Sequence, residues 1–315
     1  MYRIGVDLGG TNIAVGVVND ELKIIGRGKV KTKAPRPAEE IFDDIALAVE
    51  LAVKDAGISM DEVSTVGVGT PGSVNKDNGY IEFSNNLEFN QVPAKEMLEA
   101  RIGKPVYLEN DANCAALGEA IAGVGKGVGN FVAVTLGTGV GSGIIVNGKI
   151  VSGVNFAGGE MGHTVIMVNG KQCNCGRKGC WEQYASATAL IAQTKEAMLE
   201  NKDSKMWQLC NGSVDNASGR TAFDAMRLGD EAAQKVVDNY IYYVSVGISN
   251  IINTFQPEFV CVGGGVSHEG ETLLAPLRKH VEDERYSIYA SKQTKVVAAE
   301  LGNDAGIFGA ALLDE

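Results

Sequence analysis

The chain contains no run of about 18 apolar residues, the length a helix needs to cross a bilayer, so no transmembrane helix is expected. Its opening, Met1-Tyr2-Arg3-Ile4-Gly5-Val6-Asp7, lacks the charged, apolar and cleavage regions of a secretory signal and reads directly as a buried strand. The expected setting is cytoplasmic. Cations are not in excess either: 28 Lys and Arg stand against 39 Asp and Glu, for a formal net charge of -11. A protein that grips nucleic acid without sequence preference needs cations to replace phosphate counterions, so that class is excluded. A small phosphate compound is not excluded, because backbone N–H groups and Mg²⁺ can hold it. Two large nucleotide-binding signatures are missing. No glycine turn continues into the Gly-Lys-Ser/Thr of a P-loop, and none opens a helix as Gly-x-Gly-x-x-Gly. No segment is of low complexity.

What is present is an ordinary globular mixture, 45% hydrophobic and 21% charged, in 315 residues. That length is more than one ordinary core and suits two α/β domains. β-rich runs at Tyr2–Asp7 and Asn12–Val18 flank a glycine turn, and Leu22–Lys31 supplies a third strand. Helical spacing of Ile41, Ile45, Val49, Ala52 and Val53 predicts a helix over Pro37–Ala56 that ends at Gly57. A strand at Thr65–Gly69, a further helix, and a strand at Val106–Glu109 follow. Ala112–Val124 reads as a helix. Phe131–Leu136, a glycine turn, Gly143–Val146 and Lys149–Val151 then repeat the opening layout, with Asn147-Gly148 as a hairpin turn. This suggests internal duplication of one fold unit. Further helices are expected at Glu182–Glu200, at Asp230–Thr254 with Asp230 as its N-cap, and at Asp304–Leu313. Strands are expected at Phe259–Val262 and Lys295–Ala299, and residues 201–220 read as loop.

Three glycine turns end strands. Asp7-Leu8-Gly9-Gly10-Thr11-Asn12 lets the chain turn tightly and approach a phosphate with no Cβ in the way. Thr11 can donate a hydroxyl and Asp7 can hold Mg²⁺ through water. Gly137-Thr138-Gly139 offers the same chemistry from the second layout. Gly263-Gly264-Gly265 suits close backbone approach to a flat adenosine, with Gly264 and Gly265 as the contact points. Any one of these alone is equally an ordinary β-turn; three of them, two matching in layout, favour a nucleotide.

Six cysteines are present, and three of them, Cys173, Cys175 and Cys180, crowd together ten residues after His163. In a reducing compartment His-x9-Cys-x-Cys-x4-Cys reads as a metal site rather than a disulfide framework. Three thiolates and an imidazole close a tetrahedral zinc shell, which implies a structural ion; free thiols or a disulfide are the alternative. Glu160 and Glu182 flank the cluster. Such carboxylates repel a phosphate backbone but accept hydrogen bonds from sugar hydroxyls, and the metal would fix one relative to the other. His163 can bind metal through one nitrogen and a hydroxyl through the other. Asn110-Asp111 stands at a strand end and a helix start. Asp111 there is either a helix N-cap or a general base for a phosphoryl acceptor hydroxyl.

Taken together these segments resemble the ROK family (repressors, uncharacterised frames and kinases) of the actin, hexokinase and chaperone ATPase superfamily. The resemblance runs the whole length. Asp7–Asn12 and Leu136–Gly141 are similar to the two phosphate loops, and Glu109-Asn110-Asp111-Ala112-Asn113 to the catalytic segment. Gly158–His163 and Cys173–Glu182 are similar to the two defining motifs. The resemblance implies an α/β fold with two domains of related ribonuclease-H-like, actin-like ATPase topology and a cleft between them. The small domain would hold residues 1–112 and 303–315, and the large one 113–302. It implies Asp111 as the base, Asn110, Glu160, His163 and Glu182 as hexose ligands, and Asn86 as a further candidate. The pattern is closest to bacterial glucokinases, which implies ATP with Mg²⁺, one structural Zn²⁺, glucose phosphorylated at its 6-hydroxyl, and a homodimer or homotetramer. Another hexose (fructose, mannose, allose or an N-acetylated amino sugar) is the alternative substrate. A non-catalytic sugar sensor or a transcription regulator is the alternative of another class; the regulator is disfavoured because Met1 lies so near the first strand. Asn12 departs from the pattern, since many members carry Lys after Gly-Gly-Thr.

Overall fold

A computed structural model describes residues 1–314. The chain divides into two compact units: Met1–Ala133 with Gly143–Gly159 and Glu300–Glu315, and Val134–Ser142 with Glu160–Ala299. The first sheet is built from β1 (Tyr2–Leu8), β2 (Asn12–Val18), β3 (Ile24–Lys31), β4 (Val63–Thr70) and β8 (Val106–Asn110), in the order β3-β2-β1-β4-β8. β1 pairs antiparallel with β2 and parallel with β4, which in turn pairs parallel with β8. β1 lies at the centre, and its alternate residues Ile4, Val6 and Leu8 are buried. Helix α1 (Ala38–Ala56) covers β2 and β3 with Ile41, Phe42, Ile45, Val49 and Ala52, and Gly57 closes it in the left-handed region at φ 68°. Helix α2 (Ala94–Ile102) packs beside α1, and α3 (Asp111–Ile121) follows β8 directly.

The strands after the first unit's core helices repeat the same plan. β9 (Phe131–Leu136), β10 (Val140–Val146), β11 (Lys149–Ile150), β12 (Phe259–Gly263) and β13 (Lys295–Ala298) form a sheet in the order β11-β10-β9-β12-β13. β10 and β11 are antiparallel and β12 and β13 parallel, as in the first sheet. The duplication expected from the sequence is therefore present as strand order. The second unit adds α4 (Glu182–Ala185), α5 (Ala187–Glu200), α6 (Lys205–Leu209), α7 (Thr221–Arg227), α8 (Glu231–Phe255) and α9 (Glu271–Glu284). Asp230 caps α8 as expected, accepting the Ala233 N–H at 2.8 Å. The last helix, α10 (Ala305–Ala311), returns to the first unit and packs on α3, β1 and β4.

Four differences from the sequence reading matter. A three-stranded sheet of β5 (Ser73–Asn75), β6 (Tyr80–Ser84) and β7 (Phe89–Val92) lies between Gly69 and the following helix, where the reading placed no strand; its strands are too short to announce themselves. The helix expected over Glu182–Glu200 is broken at Ser186, whose hydroxyl accepts the Ala189 N–H at 3.0 Å and starts α5 afresh. Residues 201–220, expected as loop, contain α6. Helix α9, with Pro276 inside it, had no counterpart in the reading. No helix among the described residues is long and apolar enough to cross a membrane.

Helix α10 approaches its neighbours at backbone distance. A Cβ on Gly5 would collide with the Ile307 carbonyl, one on Gly67 with the Ala310 carbonyl, and one on Gly118 with the Ala305 carbonyl. None of these obstacles can rotate away. Gly67→Ala should therefore lose about 1–3 kcal/mol or more, the range for overpacking, and lower the melting temperature clearly. Gly219→Ala, whose Cβ meets nothing within 4 Å, should change stability by no more than about 0.5 kcal/mol. Equal melting temperatures for the two variants would contradict this packing.

Candidate active site

In the first unit the junction of β8 and α3 gives the helix cap to Asn110, not Asp111. The Asn110 Oδ1 accepts the N–H groups of Ala112 at 2.9 Å and Asn113 at 3.2 Å, and its Nδ2 donates to the Gly72 carbonyl at 3.0 Å. Beneath it, buried Glu109 accepts the Asn110 N–H at 2.8 Å and the Asn113 Nδ2 at 3.0 Å, and pairs with Lys76. Asp111 is thus the first helical residue on a fixed platform. One of its oxygens also takes the Ala112 N–H, at 2.8 Å. Burial raises its pKa above the usual carboxylate range, and that hydrogen bond only partly offsets the effect. Asp7, at the end of β1, is pushed up to about 6 by burial and then by the charge of Asp111. Two neighbouring carboxylates, both raised by burial and one of them further by the other's charge, fit a divalent cation, which would relieve both.

The first glycine turn leaves β1 beside this pair. It is closed by Gly9 N–H donating to the Asn12 carbonyl at 2.9 Å. From behind, Thr32 donates its hydroxyl to the Gly9 carbonyl at 2.6 Å and its N–H to the Thr11 carbonyl at 3.0 Å. A Cβ on Gly10 would meet nothing nearer than the Asn86 Cβ at 4.0 Å, so that side of the turn is open and Asn86 borders it. Thr11 is exposed. The Asn12 Oδ1 is buried without a hydrogen-bond partner, an acceptor that a ligand or hydrated cation can use.

In the second unit Gly137-Thr138-Gly139 is held in a comparable manner by the start of α5. Ala187 donates its N–H to the Gly137 carbonyl and Thr188 its hydroxyl to the Thr138 carbonyl, both at 2.8 Å. The break at Ser186 is what aims this helix N-terminus, with its partial positive charge, at the turn. A Cβ on Gly137 would face open space, but one on Gly139 would strike the Glu182 carboxylate, whose Oε2 accepts the Val140 N–H at 3.0 Å. The absence of a side chain at Gly139 leaves room for the Glu182 carboxylate. Gly264, at φ 84°, lies against the Leu136 backbone just before the second turn, and Gly265 opens onto free space.

The four expected metal ligands converge: His163, Cys173, Cys175 and Cys180 have one donor atom each within 4.8 Å of one another. His163 Nδ1 lies 3.7 Å from the Cys173 sulfur, and the sulfurs of Cys175 and Cys180 are 3.6 Å apart. A tetrahedral ion with sulfur at about 2.3 Å sets sulfur–sulfur edges of about 3.8 Å, so the cluster fits a metal ion. Burial, followed by the neighbouring thiols, pushes Cys180 up to about 12, a crowding of potential thiolates that a cation would relieve. Backbone ties the cluster to Glu182. Trp181 donates its N–H to the Thr164 carbonyl at 2.8 Å, and its buried indole N–H donates to the Tyr243 carbonyl at 2.7 Å. Glu160 is exposed and begins the short 3₁₀ turn Met161–His163, where its carbonyl accepts the His163 N–H at 3.1 Å.

The structure thus gathers Asp7, Gly9, Gly10, Thr11, Asn12, Asn86, Asn110 and Asp111 in the first unit. In the second it gathers the Gly137 turn, Glu182, Gly264 and the metal cluster. Sequence reasoning missed Thr32, Ala187 and Thr188, which hold the turns from behind; nothing local to these residues announces a partner so distant in the chain. It named Glu109 and Asn113 only as part of the catalytic segment and gave them no role of their own. Their placement, one before and two after Asn110-Asp111, is a signal that a capping analysis of this junction could have used.

Comparison with known proteins agrees over the whole length. The ROK family model matches residues 3–315. A glucokinase of Thermotoga maritima is 40% identical over 98% of this chain and 95% of its own. The crystal structure of a ROK family glucokinase from Streptomyces griseus, in complex with glucose and AMPPNP, superposes with a TM-score of 0.83 at 38% identity, covering 99% of this chain and 98% of that one. The ROK hexokinase of Thermus thermophilus gives a TM-score of 0.81 at 32% identity, with 99% and 97% covered.

Elemental analysis of the purified protein should find about one tightly held metal ion per chain, the stoichiometry of one four-ligand site. Cys180→Ser should lose it, along with protection of the 160–182 segment from hydrogen exchange. A full-length, folded protein free of metal, with that segment equally protected, would remove the cluster's structural role.

Proposed function

Because the chain belongs to the ROK family, and because Asn110 rather than Asp111 caps α3, we propose that it transfers the γ-phosphoryl group of ATP to the 6-hydroxyl of glucose with Asp111 as general base. The capping arrangement is the observation that carries the reading. It leaves a carboxylate beside Asp7 and the first glycine turn, fixed in place and not needed to start the helix. Glucose as acceptor rests on the glucokinases among the relatives.

Each unit has its own part. In the first, Asp111 takes the proton as the sugar oxygen attacks the γ-phosphorus; the bond from phosphorus to the bridging oxygen breaks, and ADP leaves with that oxygen's charge. Asn110 and Asn86 orient the sugar, and the Gly10 turn faces the phosphates. Asp7, Asp111 and the Asn12 Oδ1 are the groups that would hold Mg²⁺, directly or through water, and the ion would neutralise developing phosphate charge. In the second unit, Gly137 and Thr138 address the phosphates and Gly264 and Gly265 the adenosine. Glu160, Glu182 and the second nitrogen of His163 accept or share hydrogen bonds with sugar hydroxyls. The metal of the Cys₃His cluster is zinc, the ion that three sulfurs and one imidazole suit best, and its task is to hold His163 and Glu182 in register. Six unpaired cysteines support a cytoplasmic setting.

A coupled ADP-release assay across hexoses should show MgATP-dependent turnover with glucose preferred over fructose, mannose, allose and N-acetylated amino sugars. Both Asp7 and Asp111 are raised and must be ionised to act, so protons compete with function at higher pH than for an ordinary carboxylate. The value of kcat/KM should therefore fall as pH drops through about 6, the Asp7 value. No ADP release with any hexose by folded protein would defeat the kinase reading; a profile flat from about pH 5 to 8 would remove the assigned roles of the two carboxylates.

A further inference from the structure

The first glycine turn faces a polarity problem. Every peptide unit in it offers one N–H and one carbonyl pointing in opposite directions. A turn that is to hold an anion must present the former and hide the latter. Gly10 has no side chain to contribute, so the direction of the Gly9–Gly10 peptide decides what the turn offers.

Thr32 stands behind that peptide. It lies just past the end of β3, is 0% exposed, and its hydroxyl donates to the Gly9 carbonyl at 2.6 Å. Its backbone N–H donates to the Thr11 carbonyl at 3.0 Å, so a single residue grips the turn at both ends. The grip is itself braced. Arg36 donates from Nε to the Thr32 carbonyl at 2.7 Å and is ion-paired with Asp44 and Glu40 of α1. With the Gly9 carbonyl drawn toward Thr32, the planar trans peptide turns the Gly10 N–H the opposite way, and the turn is uncrowded at Gly10, where an added Cβ would meet nothing nearer than Asn86 at 4.0 Å.

We infer that Thr32 is a positioning residue for nucleotide binding: its hydroxyl withdraws the Gly9 carbonyl from the phosphate side and keeps the Gly10 N–H turned toward it. The inference rests on the kinase reading above, in which this turn meets the phosphates. Thr32 touches no substrate. It acts through the orientation of one peptide, so its removal should weaken the phosphate compound and not the sugar.

The test compares Thr32→Val, which keeps the branched shape and deletes the hydroxyl, with Thr32→Ser, which keeps the hydroxyl and deletes a methyl. Binding of MgADP is measured by calorimetry, and KM is measured for MgATP and glucose. T32V should weaken MgADP and raise the MgATP KM about 5- to 20-fold, the effect of losing one hydrogen bond to a buried carbonyl, with the glucose KM within about twofold. T32S should return the MgADP affinity to near the parent value. T32V binding MgADP as the parent does overturns the inference alone, as does equal impairment of both variants toward both substrates, since the residue would then serve packing only. If T32V does not fold, Thr32→Cys, a weaker donor of similar size, should still weaken MgADP selectively, and no weakening overturns the inference. A parent chain that binds no MgADP overturns the kinase reading and this inference together.

Discussion

A helix begins with backbone N–H groups that have no partner in the helix. At α3 the side chain of Asn110 accepts two of them, and much of the chemistry assigned here depends on that. Had Asp111 been the cap, its carboxylate would be tied to the helix start and its pKa held down by those donors. Instead it stands one position further on. It shares one N–H, and burial leaves its pKa raised. The platform is built outward from the same point. Asn110 also clamps Gly72, at the entrance of the three-stranded sheet, while Glu109 clamps Asn110 and Asn113 and pairs with Lys76 at the far end of β5. The sheet that carries the Asn86 turn is therefore fastened at both ends of β5 to the dipeptide before the proposed base.

The two glycine turns follow one rule with different parts. Each turns a carbonyl away toward a protein donor and keeps an open glycine on the other side. Thr32 does this for Gly9, and the N–H of Ala187 does it for Gly137. Equivalent positions in duplicated sheets have thus been supplied by a strand end in one unit and by a helix start in the other. The second solution requires a helix that begins at Ser186, which explains why what looked like one helix is two. Glu182 gains from the same break: as the first residue of the short α4 it reaches Val140 across Gly139, with Trp181 anchoring it to α8.

Much of this was legible in the sequence, for physical reasons that differ from site to site. The turn glycines were visible because they recur at strand ends, two of the three turns in matching layouts. The metal cluster was visible because metal chemistry restricts both ligand type and spacing. The duplicated strand order followed from the matching strand, turn, strand layouts. The choice left open for Asp111 between cap and base turned on its neighbour: Asn and Asp cap equally well, and only the backbone geometry gives the cap to Asn110. What approaches Gly139 is a carboxylate 43 positions later in the chain (Glu182), a contact that no local pattern encodes. Short strands β5 to β7 were missed because each is stabilised by its neighbours and not by its own composition.

The most direct test of the account is the turnover of Asp111→Asn. Asn keeps the size of the side chain and can still accept the Ala112 N–H, and the cap belongs to Asn110, so melting temperature and glucose affinity should stay close to the parent. It cannot take the proton from the attacking hydroxyl, and kcat should fall by about 10²- to 10⁴-fold, the range for loss of a general base. A variant that keeps kcat within about threefold of the parent, well short of that range, would contradict the account, and the base would have to be sought among Glu109, Glu160 and Glu182.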